Sequence, residues 1–570
     1  MSGSAVAIRR TSYPQAEPRA AGLMQRALAL APPVLPVSVA SRLAERQGAR
    51  HIAARIGTTW GVASRGTLSR ALALGLDRAP LAAVLWDAPL VTPATSEVTV
   101  RRLLGPDRPF VLVAGSHGPE GIVLREPGAP SSLPASVRLQ LDQLPADVGA
   151  ILRTAGNQGD ALGLPVAAVG GVVRDLLLAR VDERTDLDLV VEGSAVALAN
   201  RLAGSLDGRV VEHRTFLTAT VVLRDGRRID VATARRESYR APGALPDVEP
   251  ASLGEDLARR DFSVNALAVR LERAAWGRLV DTTGGLVDLR ARRIRVLHAL
   301  SFVEDPTRIL RAARFAARLD WRVDRATRRL AAHAATLDVY RALSGDRLRG
   351  ELELILAEHR PAAAMRQASQ LGAWGLVDRD ASPGRTTRHL LAAALAPRSL
   401  QALGPDAPVA LALLALTAES AAIEAWMDRL SLRPAMREAI RRARRDTRAL
   451  LARLSRTRGQ ARAYAILREV PEVTAAWART LASTSARRHL DRHLRSWRRL
   501  RPLATGDDVA ALGVPPGPAV GELLRELRTG QAVGQVRSRA GAIRWLRGAV
   551  DRDRARRKAP LTRPGKGGGG

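Results

Sequence analysis

The chain has 570 residues, 46% hydrophobic and 25% charged, with no cysteine and a net charge of +33. That length is too great for one hydrophobic core and implies several domains of roughly 100–200 residues each. The composition excludes a disulfide scaffold, thiol catalysis and Cys-ligated zinc. No apolar run reaches the roughly 18 residues of a membrane helix, and a reducing, cytoplasmic setting fits.

Nearly every cation is arginine, with lysine only at Lys558 and Lys566. Codon bias in a GC-rich genome explains arginine over lysine, but not the surplus of cations over acids. That surplus is uneven: residues 431–570 hold 33 Lys and Arg against 11 Asp and Glu. A polyanionic partner follows. With aromatics at 3%, phosphate contacts rather than base stacking would supply the affinity, and binding would depend strongly on salt.

Residues 1–32 lack sustained periodicity and are expected to be flexible. The apolar stretch 27–40 is broken by Pro32, Pro33 and Pro36 and is followed at once by Arg42, Glu45 and Arg46, so it is not read as a leader. Residues 33–127 mix short strand-like runs (Val111-Leu112-Val113, Gly121-Ile122-Val123) with helical stretches such as 68–76. Pro127, Gly128, Pro130, Ser131 and Ser132 mark a linker, and a helix is expected over 134–162, so that 128–163 is linker and helix. Residues 164–296 alternate strands (166–169, 187–191, 218–223, 229–232) with helices and read as a small α/β domain. Beyond Leu297 the strand signals disappear. Helical spacing such as Ile309-Leu310-Ala313-Phe315-Ala317 continues to about Val550, interrupted at Pro383-Gly384, Gly404-Pro405 and 514–518. Residues 551–570 are basic and then glycine-rich, and are expected to be disordered.

Four motifs fall in order within 164–310. Gly170-Gly171-Val172-Val173-Arg174-Asp175 follows a predicted strand and opens a helix. Its glycines let backbone N–H groups approach a phosphate closely, and the helix start adds a favourable dipole. Asp186-Leu187-Asp188 comes fifteen residues after Gly171, on a predicted strand. Alternation puts both carboxylates on one face, as a pair of magnesium ions completed by substrate phosphates requires. An isolated Asp-x-Asp is more often a solvent-facing strand edge; its place after the glycine turn changes that. Asp230 lies on a later strand, where a third carboxylate suits bridging metals or taking a proton from a 3′-hydroxyl, and an ordinary exposed strand residue fits equally well. Last come Arg259-Arg260-Asp261, which can take phosphate and a ribose hydroxyl together, and Glu304-Asp305-Pro306-Thr307-Arg308. In the latter Asp305 and Arg308 share one face of a helix start, which also describes many local ion pairs.

These residues in this order resemble the bacterial class II tRNA nucleotidyltransferase (CCA-adding and A-adding enzyme) and poly(A) polymerase family. The resemblance runs from about Leu164 to Phe315 and takes in Asp230-Val231-Ala232-Thr233-Ala234-Arg235, Pro242-Gly243-Ala244-Leu245-Pro246, the stretch 259–266 and Asp281-Thr282-Thr283-Gly284-Gly285. It implies a multidomain α/β plus all-α chain. The mixed-sheet, DNA polymerase beta-like head (164–296) would be followed by helical neck (297–360), body (361–500) and tail (501–550). It implies that Asp186 and Asp188 hold two Mg2+ ions, with Mn2+ an alternative, and that Asp230 completes the catalytic set. Gly170, Gly171, Arg174, Arg259, Arg260, Asp261, Asn265 and Arg311 would bind the nucleotide. Asp305 and Arg308 would read its base, with Glu304 orienting Arg308. Cytosine and adenine each show an amino donor beside a ring-nitrogen acceptor, whereas uracil and guanine show the reverse. One Asp acceptor beside one Arg donor therefore selects C and A from CTP and ATP without a template.

The sequence departs from the family at Leu217, where relatives usually have glycine, which puts that turn in doubt. The stretch 506–513 with Pro516-Gly517-Pro518 resembles the family's tail, which holds the acceptor and T arms of tRNA. Residues 33–127 resemble a degenerate pair of CBS modules. The Asp that usually stands three residues after a Thr/Ser in adenosine-binding copies is missing: Thr67 stands three residues after Ser64, and Pro127 three after Leu124. No nucleotide binding is expected there, only a structural or RNA-docking role. CC-adding members lack the flexible loop that this chain keeps over 237–257. CBS-like modules accompany A-adding relatives, so full CCA and A-only addition both stand. A poly(A) polymerase of the same family is the alternative, although the Gly-Arg-Arg-Phe-type sequence it usually carries is missing from 211–218. A non-catalytic RNA-binding homologue would need the loss of a metal ligand.

Overall fold

The computed structural model describes residues 18–125, 137–182, 185–379, 381, 384–396 and 403–558. The linker signals at 127–132, the expected helix start at 134, the break at Pro383 and the glycine-rich end lie outside them. The chain divides into two compact units, residues 1–358 with 363–382, and 359–362 with 383–570. No helix among the described residues is long and apolar enough to cross a membrane.

The first unit opens with one unit of structure used twice. Strand β1 (Leu28–Leu30), the helix Val37–Arg46, β2 (His51–Ile56) and β3 (Thr59–Ser64) form the first copy, in which β1 and β2 are parallel, β2 and β3 antiparallel, and β4 (Trp86–Ala88) adds to β3. In the second copy β5 (Leu90–Val91) pairs parallel with β6 (Phe110–Gly115), which pairs antiparallel with β7 (Gly118–Leu124), and the helix Glu97–Leu103 lies between β5 and β6. Residues 18–32 belong to this module, contrary to the flexible segment expected. Ala20–Leu23 is helical and Leu28 to Leu30 pair with His51 to Ala53. Pairing with a distant strand orders them, so local periodicity carries no trace of it.

The head is a seven-stranded sheet. In spatial order it runs β10 (Gly208–His213), β11 (Thr218–Leu223), β12 (Arg228–Thr233), β9 (Leu187–Val191), β8 (Val166–Val169), β15 (Ala268–Arg270) and β16 (Leu279–Val280). Every neighbour is antiparallel except β12 with β9. The hairpin of β13 (Arg235–Ser238) and β14 (Asp247–Pro250) stands beside it. The helix before β8 spans Ala146–Leu162 rather than starting at 134, because Pro145 occupies its N-cap position. Leu217 itself turns in the left-handed region with φ +55°, and its carbonyl accepts the Thr233 N–H at 2.9 Å. The left-handed conformation costs a leucine about 1–2 kcal/mol, which the surrounding sheet imposes.

Beyond the head the helices Ser301–Glu304, Thr307–Leu319, Arg325–Thr336 and Gly345–Leu356 form the neck. One exception to its helical character is the two-residue pairing of Arg322–Val323 with Arg293–Ile294. Leu300 and Val303 enter the core of the N-terminal module beside Ile52, Leu68 and Leu81, with Tyr239 and Leu337 packed against it. Arg329 donates to the carbonyls of Ala82 and Leu85 at 2.7 and 2.8 Å and to Asp87 at 2.8 Å. Each such buried aliphatic contributes about 1.5–3 kcal/mol, so the module is part of the neck's own core.

The second unit is helical. The helix Ala407–Leu416, buried at every residue but Pro408, packs with Pro434–Ser455 and Glu472–Leu481. Ala504, Val509, Leu527, Val536, Ala542 and Leu546 make a further core near its end, and Thr505 with Asp508 forms a capping box on Gly506–Ala510. Residues 551–558 were expected to be disordered; they continue the helix Arg539–Lys558.

Candidate active site

Strand β8 delivers the chain into Gly170, whose φ of +74° excludes most side chains. The helix Gly171–Leu177 follows. A Cβ on Gly170 would sit 3.1 Å from Arg260 Nη1 and 3.5 Å from Asp188 Oδ2. The glycine is thus required by a close approach of three elements. Asp186 is exposed just ahead of β9, and Asp188 is half-buried on it. The parallel register sets Asp230 of β12 directly beside Asp188, on strands about 4.8 Å apart. Thr220, opposite Asp230 on β11, donates its hydroxyl to Asp230 at 2.6 Å. Burial pushes the Asp188 carboxyl up to about 6, against the pull of Arg260 and helped by the charges of Asp230 and Asp186. Asp188, Asp230, Thr218, Thr220, His213 and Arg260 line a cavity of about 430 Å3.

The arginine pair is held from behind. Asp256, fully buried, accepts Arg259 Nη2 at 2.5 Å on one oxygen and Arg260 Nη2 at 2.9 Å on the other. Burial works to raise the Asp256 carboxyl, but the Arg260 and Arg259 charges overcome it and hold it below its usual range. Glu237 takes Arg259 Nη1 at 2.7 Å. Arg259 is therefore committed to two carboxylates, whereas Arg260 turns Nη1 toward Gly170. Asp261 accepts the Phe262 N–H and the Asn265 amide on Oδ1 and Arg311 on Oδ2 at 2.6 Å. Asn265 in turn accepts Arg174 Nη1 at 2.7 Å. Beneath this chain lies Phe315, with the guanidinium carbon of Arg174 5.4 Å and that of Arg314 5.0 Å from its ring centre.

The segment expected to read the base adjoins the arginine pair. Arg308 donates to Ser301 Oγ and to the carbonyl of Arg259, both at 2.8 Å. Asp305 Oδ1 accepts Thr307 Oγ1 at 2.6 Å and Arg347 Nη2 at 2.8 Å. Arg308 is oriented by Ser301 and Arg259, where Glu304 was expected to do so; Glu304 itself is ion-paired to Arg70. Asp281 accepts the backbone N–H groups of Thr283, Gly284, Gly285 and Leu286 at 2.8–3.2 Å. A Cβ on Gly285 would lie 2.2 Å from the Ser263 carbonyl. The Asp281-to-Gly285 motif is therefore a cap that lets a helix press onto the 259–266 segment.

The Poly A polymerase head domain matches residues 166–295. The chain is 36% identical to the A-adding tRNA nucleotidyltransferase of Geobacter sulfurreducens, over 72% of this chain and 48% of that protein. It is 32% identical to the A-adding tRNA nucleotidyltransferase of Halalkalibacterium halodurans, over 70% of this chain and 91% of that protein. It thus spans about half the length of the first relative and nearly all of the second. The Thermotoga maritima CCA-adding enzyme complexed with tRNA superposes with a TM-score of 0.57 at 30% identity, covering 72% of this chain and 97% of that one. The chain belongs to the tRNA nucleotidyltransferase and poly(A) polymerase family.

Nucleotidyltransferases of this family work with divalent metal, and the residues present fit one. Among the described residues no three His, Cys, Asp or Glu side chains form a metal cage by themselves. A pair of hard carboxylates at the edge of a cavity leaves the remaining positions to phosphate and water, the arrangement magnesium prefers. Burial, and after it the charges of Asp230 and Asp186, raise Asp188, and a cation would relieve that clustered charge. Sequence reasoning passed over Asp256, Glu237 and Arg347. Asp256 had a signal, since Asp at three and four residues before Arg259 and Arg260 on a helix end must face them. Glu237 and Arg347 reach the site from other elements and had none.

Proposed function

We propose that the chain transfers nucleotides from CTP and ATP to the 3′ end of tRNA without a template. The observation that carries this reading is the meeting of the Gly170 turn, Asp188, Asp230 and Arg260 at one end of the sheet's central strands. Asp186 and Asp188 would hold two magnesium ions, which would supply Lewis-acid stabilisation of the reacting phosphate and lower the pKa of the primer hydroxyl. The tRNA 3′-oxygen forms a bond to the α-phosphorus and pyrophosphate leaves. Asp230 stands beside Asp188, placed to share a metal or to take the hydroxyl proton. Arg260 faces the triphosphate at the Gly170 turn, while Arg259 and Asp261 position the segment through Asp256 and Arg311. Asp305 and Arg308 select C and A by hydrogen bonding. The exposed arginines of the second unit hold the tRNA backbone, and such substrates fit a cytoplasmic setting.

Addition of the terminal A is the narrower reading. The names of two relatives and the retained β13–β14 hairpin support it. The repeated strand–helix–strand–strand pattern supports a degenerate CBS-like pair at the N-terminus. In it Ser64 caps the helix Arg65–Ala73 by accepting the Thr67 N–H at 3.1 Å, which leaves those residues in a structural role. The test offers the protein three tRNAs, ending before CCA, after CC and complete, with CTP and ATP separately. A single A on the second is the expected result. C on the first would show that the enzyme is not A-only. Long A tails on the third would make it a poly(A) polymerase. No incorporation on any of the three would end the reading.

A further inference from the structure

Arg70 stands on the helix Arg65–Ala73 of the N-terminal module, yet its Nε lies 2.8 Å from Oε1 of Glu304, next to the base-reading Asp305. Glu304 is 2% exposed. The angle of this contact is outside that of a hydrogen bond, so it is a Coulombic pair. Glu304 Oε2 faces His298 Nε2 at 3.5 Å. Burial and the charges of Arg308 and Arg70 lower His298 below its ordinary value, which leaves it neutral near pH 7. Arg70 is therefore the cation in contact with Glu304.

A second route leads from the same module to the same place. Tyr239 packs on the module's core and donates its hydroxyl to Glu237 at 2.9 Å. Glu237 holds Arg259, and the Arg259 carbonyl holds Arg308. Glu304 also anchors the loop between β13 and β14. Its carbonyl accepts the Gly243 N–H at 3.0 Å, and Arg347 bridges the Gly243 carbonyl at 2.6 Å to Asp305 at 2.8 Å.

We propose that Arg70 is a positioning residue for nucleotide choice, through which the N-terminal module holds Glu304 and with it the Asp305 and Arg308 pair in place. The inference rests on the nucleotide-selecting reading of Asp305 and Arg308 given above. Without Arg70 the buried Glu304 keeps only neutral His298 and the more distant Arg308. It then either takes up a proton or draws Arg308 away from Ser301 and the Arg259 carbonyl. Both change the guanidinium that meets the base.

The experiment measures kcat and KM for each of the four nucleoside triphosphates on tRNA ending in CC. It compares the full chain with its R70A, R70K, E304Q and R70A/E304Q variants. R70A is expected to raise KM for ATP about tenfold and to reduce its preference for ATP over GTP by a similar factor. R70K is expected to restore most of both, and R70A is expected to add little in the E304Q background. An R70A that lowers kcat alike for all four nucleotides, with selectivity intact, would overturn the proposal. So would an R70A effect of equal size with and without Glu304. Should R70A unfold, seen as a lost thermal transition, R70Q replaces it in the same cycle. Failure of the wild-type chain to add any nucleotide would instead strike the proposed function, so the two failures are distinguishable.

Discussion

The head and the end of the chain use arginine in opposite ways. Residues 164–296 hold 21 Arg against 19 Asp and Glu, whereas residues 431–570 hold 33 Lys and Arg against 11. Many of the head's arginines are exposed, but those in its interior are buried or half-buried and committed. Arg259 and Arg260 share Asp256, Arg295 pairs with the buried Asp288 at 2.7 Å, and Arg174 is fixed by Asp175 and Asn265. On the helix Thr484–Arg495, by contrast, Arg488, Arg492 and Arg495 are exposed. Balanced, buried charge fixes geometry, because each ion is held by particular partners at fixed distances. Surplus, exposed charge makes a field, in which no single ion decides anything. The proposed function assigns nucleotide chemistry to the first region and grip on a polyanion to the second.

If that contrast holds, removing one charge from the head is severe and specific. The largest effect is expected from Asp188→Asn, which should lower nucleotide incorporation by on the order of 10³-fold or more, since several kcal/mol of charge stabilisation depend on that ligand. Binding of tRNA, followed by gel shift, should change little. A variant that retained activity would remove Asp188 from the metal site. Asp256→Asn comes next. It leaves two guanidinium groups without their shared buried anion, at a cost of about 3–5 kcal/mol. Thermal unfolding should register the loss. A shift no greater than that of an exposed arginine would break the comparison.

Glu304 gives a smaller, pH-dependent effect. Burial, opposed by Arg70 and Arg308, pushes its carboxyl from 4.5 up to about 7. The folded state thus holds a proton that the unfolded state releases above about 4.5. Its contribution to stability is complete below that pH and is lost as pH rises through about 7. Glu304→Gln should remove this dependence. Denaturant unfolding should then show the wild type losing about 1–3 kcal/mol relative to the variant between pH 4.5 and 7.5. A constant difference across that window would mean that Glu304 does not titrate there.

How far the sequence revealed this site depended on the distance each signal had to cover. Strands β8, β9, β11 and β12 were legible because alternation and apolar runs are local, and Asp186 and Asp188 came with them. That Asp230 stands beside Asp188 was not, since it depends on the register of two strands separated by a helix and a hairpin. The Gly170 turn was legible as a turn, but not its reason, which is the approach of Arg260 and Asp188. The edge strand β10 and the short β15 and β16 were missed, being recruited by pairing rather than by their own pattern. Arg70 reads in sequence as one more helix-face arginine. Only the packing of Leu300 and Val303 into the N-terminal core brings it to Glu304.

The smallest effects are expected at the end of the chain, and they test the other half of the contrast. Arg488→Gln or Arg492→Gln alone should weaken tRNA binding by only about twofold, as an exposed charge in high dielectric is worth well under 1 kcal/mol. The loss should be the same whichever nucleotide is offered, because these side chains belong to the field and not to the base-reading geometry. Replacing Arg488, Arg492, Arg495 and Arg499 together should flatten the slope of log affinity against log salt by up to about 0.9 for each one that neutralises a phosphate. One substitution that alone abolished binding, or that altered the preference for ATP, would show a built site where the proposed function expects a diffuse one.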